Sequence, residues 1–376
     1  MDRKERFFIR LIRNVLLLVF IIGAVIISGS KVYAAEELYE AEDNDTADTA
    51  NDISLGSYVY GDMKNKEDTD YYKFQVNDTG VVDITLSHAD IDQGFSFFVT
   101  VYQYSNGSYT ELNSDMIWAP GVYHLTLGTA PNTYYVKVNA GAIASVNGKY
   151  VMSVNFTKSA DWERELNDST ETANDINIGS LVYGSMKRKD DTDYYKFSLS
   201  QPATVQVGLA HTDINQGFSF SAAVYQYKNG SYTKIAESSS IWAPEKYQSP
   251  ELRLSAGSYY ISVSAGANGS VGGKYTLDLD YKVSQTSIRD TSSTQKSKVK
   301  INYKKVPNVT GYEIYRKTKG NYVRIKTISN NNTLTYTDKN VKGGQTYYYK
   351  VRAYYKAGSK VYYGKFSGTK KIIVKK

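Results

Sequence analysis

Along most of the chain, apolar side chains recur at every second position in short runs, the period that puts them on one face of a β-strand. Val82, Ile84 and Leu86 alternate with Asp83, Thr85 and Ser87, and Val205, Val207 and Leu209 repeat the arrangement. Phe95, Phe97, Val99 and Val101 form a second run, answered by Phe218, Phe220, Ala222 and Val224. Tyr134, Val136 and Val138 form a third, answered by Tyr259, Ile261 and Val263. Asn106-Gly107 and Asn229-Gly230 read as hairpin turns, because both residue types accept positive φ. Further on, Tyr312 and Ile314 flank Glu313, and Tyr347, Tyr349, Val351 and Ala353 alternate with Tyr348, Lys350 and Arg352. With no sustained 3.6-residue period, the pattern predicts an all-β protein of sandwiches or jelly rolls with little helix.

These runs recur because the sequence is duplicated. Residues 49–74 return at 172–197, a shift of 123, with 20 of 26 positions identical. The match continues from His88, Gln93 and Gly94 to His211, Gln216 and Gly217, and from Ile117-Trp118-Ala119-Pro120 to Ile241-Trp242-Ala243-Pro244. A period of that length gives each copy enough chain for a core of its own. The expected division is an export segment at 1–35, sandwiches at 36–158 and 159–283, a polar linker at 284–296 and a small antiparallel sandwich at 297–376. In the export segment Arg3, Lys4, Arg6, Arg10 and Arg13 precede an apolar run, Val15 to Ile27, too short to span a bilayer comfortably. Val32-Tyr33-Ala34-Ala35 offers a cleavage site, the alternative being an uncleaved anchor. Either outcome places the bulk of the chain outside the cytoplasmic membrane.

Composition narrows the chemistry. The chain has 36 Tyr against 6 Pro, which favours strands, and no Cys, which excludes disulfides, thiol catalysis and Cys-ligated metals. His88 and His211 recur beside Asp90 and Asp213, yet no serine elbow, HExxH run or phosphate loop accompanies them, so they read as structural and the chain as not an enzyme. Charge is divided: residues 296–376 hold 21 Lys and Arg against two acids, Glu313 and Asp338, a surplus of +19, whereas residues 36–295 carry −16. Such polarity suits association with an anionic wall or surface. Trp118 and Trp242 read as closing the ends of the sandwiches, with exposed ligand-binding aromatics as the alternative.

Each copy opens on Asn-Asp, followed by Ala-x-x-Ile, a glycine-bounded strand and Asp-x-Asp-Tyr-Tyr-Lys-Phe. These are Asn44-Asp45, Ala50, Ile53, Gly56, Gly61 and Asp68 to Phe74 in the first, and Asn167-Asp168, Ala173, Ile176, Gly179, Gly184 and Asp191 to Phe197 in the second. On these residues each copy resembles the bacterial pre-peptidase C-terminal domain, a β-sandwich appended to secreted proteases and related to the collagen-binding domain of clostridial collagenases. Residues 311–328 and 346–354 resemble the central hairpin and penultimate strand of a fibronectin type III domain, with Tyr303 standing near the usual core Trp. The fold class these resemblances imply is two tandem jelly-roll-like β-sandwiches followed by an immunoglobulin-like, fibronectin type III β-sandwich.

A candidate metal site opens each copy. Glu40, Glu42 and Asn44 alternate along an extended segment and could present oxygens to one point, with Asp45 joining across a turn and Asp68 and Asp70 closing the shell. Glu163, Glu165, Asn167, Asp168, Asp191 and Asp193 repeat the set. The ligands suit calcium, up to one ion per repeat, and the family resemblance implies the same. The alternative is a solvated acidic linker in which Asn44 and Asp45 cap a turn. The functional expectation is a non-catalytic secreted or cell-surface binding protein engaging extracellular protein, glycan or, through its basic end, anionic cell-wall polymer, and not nucleic acid. The rival expectations are a structural spacer or accessory to secreted or wall enzymes, and a protease-derived accessory fragment.

Overall fold

The computed structural model describes residues 35–88, 96–141, 148–188, 190–212, 219–266, 273–357 and 360–376. Residues 1–34 of the segment read as an export signal, and Asp90, Phe95, Asp213 and Phe218, lie outside the described residues. The protein is all-β: six sheets, and no helix among the described residues.

In the first copy one sheet runs in the order Glu37–Tyr39, Tyr58–Met63, Gly148–Lys158, Gly80–His88, Val122–Thr129. Its companion runs Asn51–Asp52, Thr69–Val76, Asn132–Ala140, Ser96–Ser105, Ser108–Trp118. The alternation read from the sequence is what joins them. Ile84, Leu86 and Met152 from one sheet and Tyr72, Phe97 and Val136 from the other meet in a single buried core. The second copy repeats the order, Leu181–Ser185 to Lys274–Tyr281 to Ala203–His211 facing Asn174–Asp175, Thr192–Leu199, Gly257–Ala265, Ser219–Lys228 and Ser231–Glu237. Tyr195, Phe220, Val207, Ile261 and Leu277 fill it. Asn106, Gly107, Asn229 and Gly230 all have positive φ, as the hairpin reading requires.

A third core, with Tyr303, Tyr312, Ile314, Tyr349 and Val351, lies between Ile288–Ser292, Val299–Tyr303, Thr335–Asp338 and the sheet Val323–Ile328, Gly311–Lys317, Thr346–Ala357, Lys360–Tyr363. Tyr303 is fully buried, and its hydroxyl donates to the Thr333 carbonyl at 2.7 Å. Within the polar stretch read as a linker, Ile288–Ser292 pairs antiparallel with Val299–Tyr303, so that part of it is an edge strand.

The three cores touch at two seams. At the first, the edge strand Val122–Thr129 meets the opening of the second copy: the Glu165 amide donates to the Gly128 carbonyl at 3.2 Å, and the Ser185 hydroxyl to the Thr126 carbonyl at 2.6 Å. Gly128 is required there, because a Cβ would lie 2.1 Å from the Glu163 carbonyl oxygen. At the second, the rings of Tyr281 and Tyr355 stack with centroids 3.8 Å apart, and the Tyr362 hydroxyl donates to the Ile178 carbonyl at 2.9 Å.

Candidate metal centre

Each acidic opening is pinned to its sandwich by backbone pairing. In the first copy the Glu40 amide donates to the Tyr60 carbonyl at 3.0 Å, and the Tyr71 amide to the Asn44 carbonyl at 3.0 Å. The second copy repeats both, Glu163 to Tyr183 at 2.9 Å and Tyr194 to Asn167 at 2.8 Å. The side chain of Asn51 clamps Ala41 in between, and Asn174 clamps Arg164 in the same way. The opening is therefore a fixed ledge over the start of the Asp-x-Asp-Tyr-Tyr strand.

Glu40 turns toward the sandwich: Oε1 accepts the Asp62 amide at 2.6 Å and Oε2 the Tyr72 hydroxyl at 3.0 Å. The Tyr72 hydroxyl contacts that of Tyr150 at 2.6 Å, and Tyr150 donates to Asp70 Oδ2. Glu163, Tyr195, Tyr275 and Asp193 form the same relay in the second copy. The two tyrosines need Gly61 and Gly184, where a Cβ would sit 2.3 Å from the Tyr150 or Tyr275 ring. Sequence reasoning did not find this relay; its only sign was the duplicated Tyr-Tyr pair beside each glycine-bounded strand.

The grouped oxygens lie one step further along. In the first copy Glu42, Asp68 and Asp70 bring carboxylate oxygens within 4.8 Å of one another, and Glu40, Glu42 and Asp62 form an overlapping trio. Asp45 lies outside both groups; its Oδ1 accepts the Thr69 amide at 3.4 Å. In the second copy Glu165, Asp168, Asp191 and Asp193 form one cluster, so Asp168 enters where Asp45 does not. Asn44 and Asn167 are fully buried.

Burial dominates the electrostatics. It pushes Asp70 up to about 9, with the Glu40 charge adding to the push, and pushes Glu40 up to about 7 against the hydrogen bonds from Asp62 and Tyr72. Desolvation raises Asp193 well above the usual carboxylate range, with Glu163 and Asp191 adding repulsion. Several buried oxygens, Asn44 Oδ1 and Asp70 Oδ1 in one copy and Glu165 Oε1, Asn167 Oδ1 and Asp193 Oδ1 in the other, have no hydrogen-bond donor among the described residues. In the first copy an all-oxygen set, Asp68 and Asp70 buried and Glu42 at the surface, with spare lone pairs, fits a hard metal cation whose charge would offset the repulsion; in the second the Lys187 ammonium already lies against Glu165, Asp168 and Asp191.

The remaining candidates fall elsewhere. The His211 ring stacks on Phe220 with centroids 4.4 Å apart and lies 2.8 Å from the Ile241 carbonyl oxygen, and the His88 ring stacks on Phe97 in the same way. The expectation that Trp118 and Trp242 are core residues is corrected. Both are exposed, because the period of two turns Ile117 and Ile241 inward and leaves the next residue outward. Tyrosines also cluster in the same place twice: exposed Tyr109 beside half-buried Tyr104 and buried Tyr135 in the first copy, exposed Tyr227 and Tyr232 beside half-buried Tyr260 in the second, with closest centroids at 4.7 Å and 4.8 Å.

The chain is thus an all-β protein of packed sheets carrying buried acidic clusters that could coordinate a metal ion. No family model matches it. It is 29% identical over 184 residues to collagenase ColT of Clostridium tetani, a match covering 46% of this chain and 18% of the collagenase, so the chain spans less than a fifth of that relative. Among solved structures, the pre-peptidase C-terminal domain of a collagenase from Bacillus anthracis is 22% identical, covering 28% of this chain and 94% of that domain with a TM-score of 0.23. An Fn3-like protein from Clostridium thermocellum is 23% identical, covering 25% of this chain and 95% of that chain with a TM-score of 0.21. These are distant similarities to collagenase accessory domains and to fibronectin-like sandwiches.

Proposed function

We propose that the protein is a secreted or surface-held, non-catalytic binding protein, whose two acidic sandwiches at 36–158 and 159–283 and basic sandwich at 297–376 act together on an extracellular polymer. The observation carrying this reading is the partly exposed tyrosine cluster at equivalent hairpins of both copies, which presents Tyr109 in the first and Tyr227 and Tyr232 in the second. Clustered, partly exposed tyrosines supply large apolar contact area with a polar tip, the composition of binding hot spots. Two such faces on one chain bind a repetitive ligand with avidity exceeding either alone. The likeness to a collagenase supports a fibrous protein such as collagen as the ligand class, and the Lys-rich and Arg-rich end supports a further contact with anionic wall polymer. In the first copy Glu42, Asp68 and Asp70, with Asn44 beside them, would hold calcium and fix the ledge over the sandwich.

The test is retention of the full chain on fibrillar collagen, glycan panels and purified cell wall. We expect retention on at least one of them, reduced about tenfold or more by Tyr109→Ala combined with Tyr232→Ala. Retention on none supports the spacer reading instead, to which the stacked tyrosine seam between Tyr281 and Tyr355 already lends a rigid joint.

A further inference from the structure

The two copies carry one lysine at the same place, Lys64 and Lys187, in two different positions. Lys64 points outward; its Nζ pairs with Glu42 at 2.6 Å, its one ion pair among the described residues, and its side chain is 53% exposed. Lys187 is fully buried, and its three ammonium protons are all used: one on Glu165 Oε2 at 2.7 Å, one on Asp191 Oδ1 at 2.5 Å and one on Asp168 Oδ1. Those acceptors are three of the four carboxylates of the second cluster. We infer that Lys187 is the resident cation of the second cage, so that the chain has one acidic cage open to a metal ion and one closed by its own ammonium group.

The seam accounts for the difference. The Lys187 amide donates to Asp191 Oδ2, as the Lys64 amide does to Asp68 Oδ2, so the loop starts alike in both copies. In the second copy the preceding sandwich reaches over: Asn113 Nδ2 donates to the Lys187 carbonyl, and Asn113 is itself held by the Tyr123 hydroxyl at 2.6 Å. Glu165 is tied by its amide to Gly128 of the same neighbour. This contact covers Glu165 and Asp191, which are fully buried, while Asp168 stays at the rim with Arg188 beside it, and a cation inside so buried a group of carboxylates offsets their repulsion. An ammonium ion with three carboxylate partners supplies that charge without an open path for a metal. Asp193 Oδ1, Glu165 Oε1 and Asn167 Oδ1 have no donor among the described residues, and a divalent ion of higher coordination number would take these lone pairs if the lysine left. The join between the two copies therefore holds without metal, while the ledge of the first copy responds to it.

The inference rests on the calcium reading of the cages, and the experiment separates the two. Calcium bound per chain is counted by equilibrium dialysis on the full chain, alone and with Lys187→Met, Asp70→Asn or both. The expected counts are one ion for the unaltered chain, two for Lys187→Met, none for Asp70→Asn and one for the double variant. Two ions in the unaltered chain, unchanged by Lys187→Met, overturn the lysine inference. No ion in the unaltered chain but one in Lys187→Met overturns the calcium reading of the first cage and supports the lysine plug; none in either overturns both. Should Lys187→Met fail to fold, acetylation of the unaltered protein followed by mass spectrometry still decides. Lys187 should be modified about tenfold or more slowly than Lys64, with and without calcium. Equal modification of the two, or exposure of Lys187 by calcium, overturns the plug.

Discussion

Lys64 and Lys187 show what a residue-level reading of the sequence can and cannot reach. Most of the clustered acids stand out in the sequence, because carboxylates at fixed, duplicated spacing point to an oxygen site whatever the fold, but Asp62 does not, and Asp45 lies outside both first-copy groups. The lysine was not, since a Lys between a Met and a run of charged residues reads as a solvated loop in both copies. Its burial is decided by Asn113, 74 residues earlier, and no local pattern carries that information. Glu313 is a similar case in the basic sandwich, one of only two acids after residue 295. Burial pushes its carboxyl up, but hydrogen bonds from Arg352, Arg324 and Tyr315 outweigh burial and hold it below the ordinary glutamate value. A depressed folded pKa means that this stabilisation is complete above the unfolded value of about 4.3 and is lost as pH falls through the folded one. Glu313→Gln should therefore weaken hydrogen-exchange protection of Gly311–Lys317 at neutral pH by about 1–3 kcal/mol, with the gap to the unaltered protein closing in acid. A gap independent of pH would mean that the carboxylate charge contributes nothing.

At the scale of elements, alternation located the long central strands and missed the short outer ones. Glu37–Tyr39 and Ile288–Ser292 are exposed along much of their length, so no buried face imposes a period of two on them. The copies also differ where their sequences drift. Val122–Thr129 is continuous in the first copy, but its counterpart is split into Lys246–Gln248 and Leu252–Leu254 around Pro250, which has no amide to donate. Ser249 mends the break, its hydroxyl accepting the Val207 amide at 3.0 Å. The unbroken strand is the one whose Thr126 and Gly128 carbonyls receive the second copy, so the drift falls where it leaves the first seam intact. Gly128→Ala tests that seam directly. A Cβ against the Glu163 carbonyl should cost about 1–3 kcal/mol of seam contact. Hydrogen exchange should rise in Leu181–Ser185 and remain unchanged in the central strand Ala203–His211. A rise in both would show that the substitution unfolds the second sandwich and does not merely part the two.

For the whole molecule, the duplicated sheets and separate cores were readable from the repeat, whereas the seams depend on single residues that fit only in three dimensions. The joint to the basic sandwich is built from three tyrosines, Tyr281 stacked on Tyr355 and tilted against Tyr362, with the Tyr281 hydroxyl donating to the Asn308 carbonyl at 2.9 Å. Three aromatic rings closing one joint restrict rotation about the connection near Val283, and this restriction determines how a basic surface and two tyrosine faces are presented together. A multivalent binder gains most when the separation of its sites matches that of the ligand, and loses the gain when the connection is slack. Tyr355→Ala removes the stacked ring, while Tyr362 still reaches Ile178 from the neighbouring strand. Small-angle scattering should then show a larger radius of gyration and a broader distance distribution, with each sandwich still folded. Retention on a polymeric ligand should fall several-fold although no tyrosine of the hairpin clusters has changed. An unaltered scattering profile would place the rigidity elsewhere. A wider profile with undiminished retention would show that the faces bind independently and that the joint serves only as a spacer.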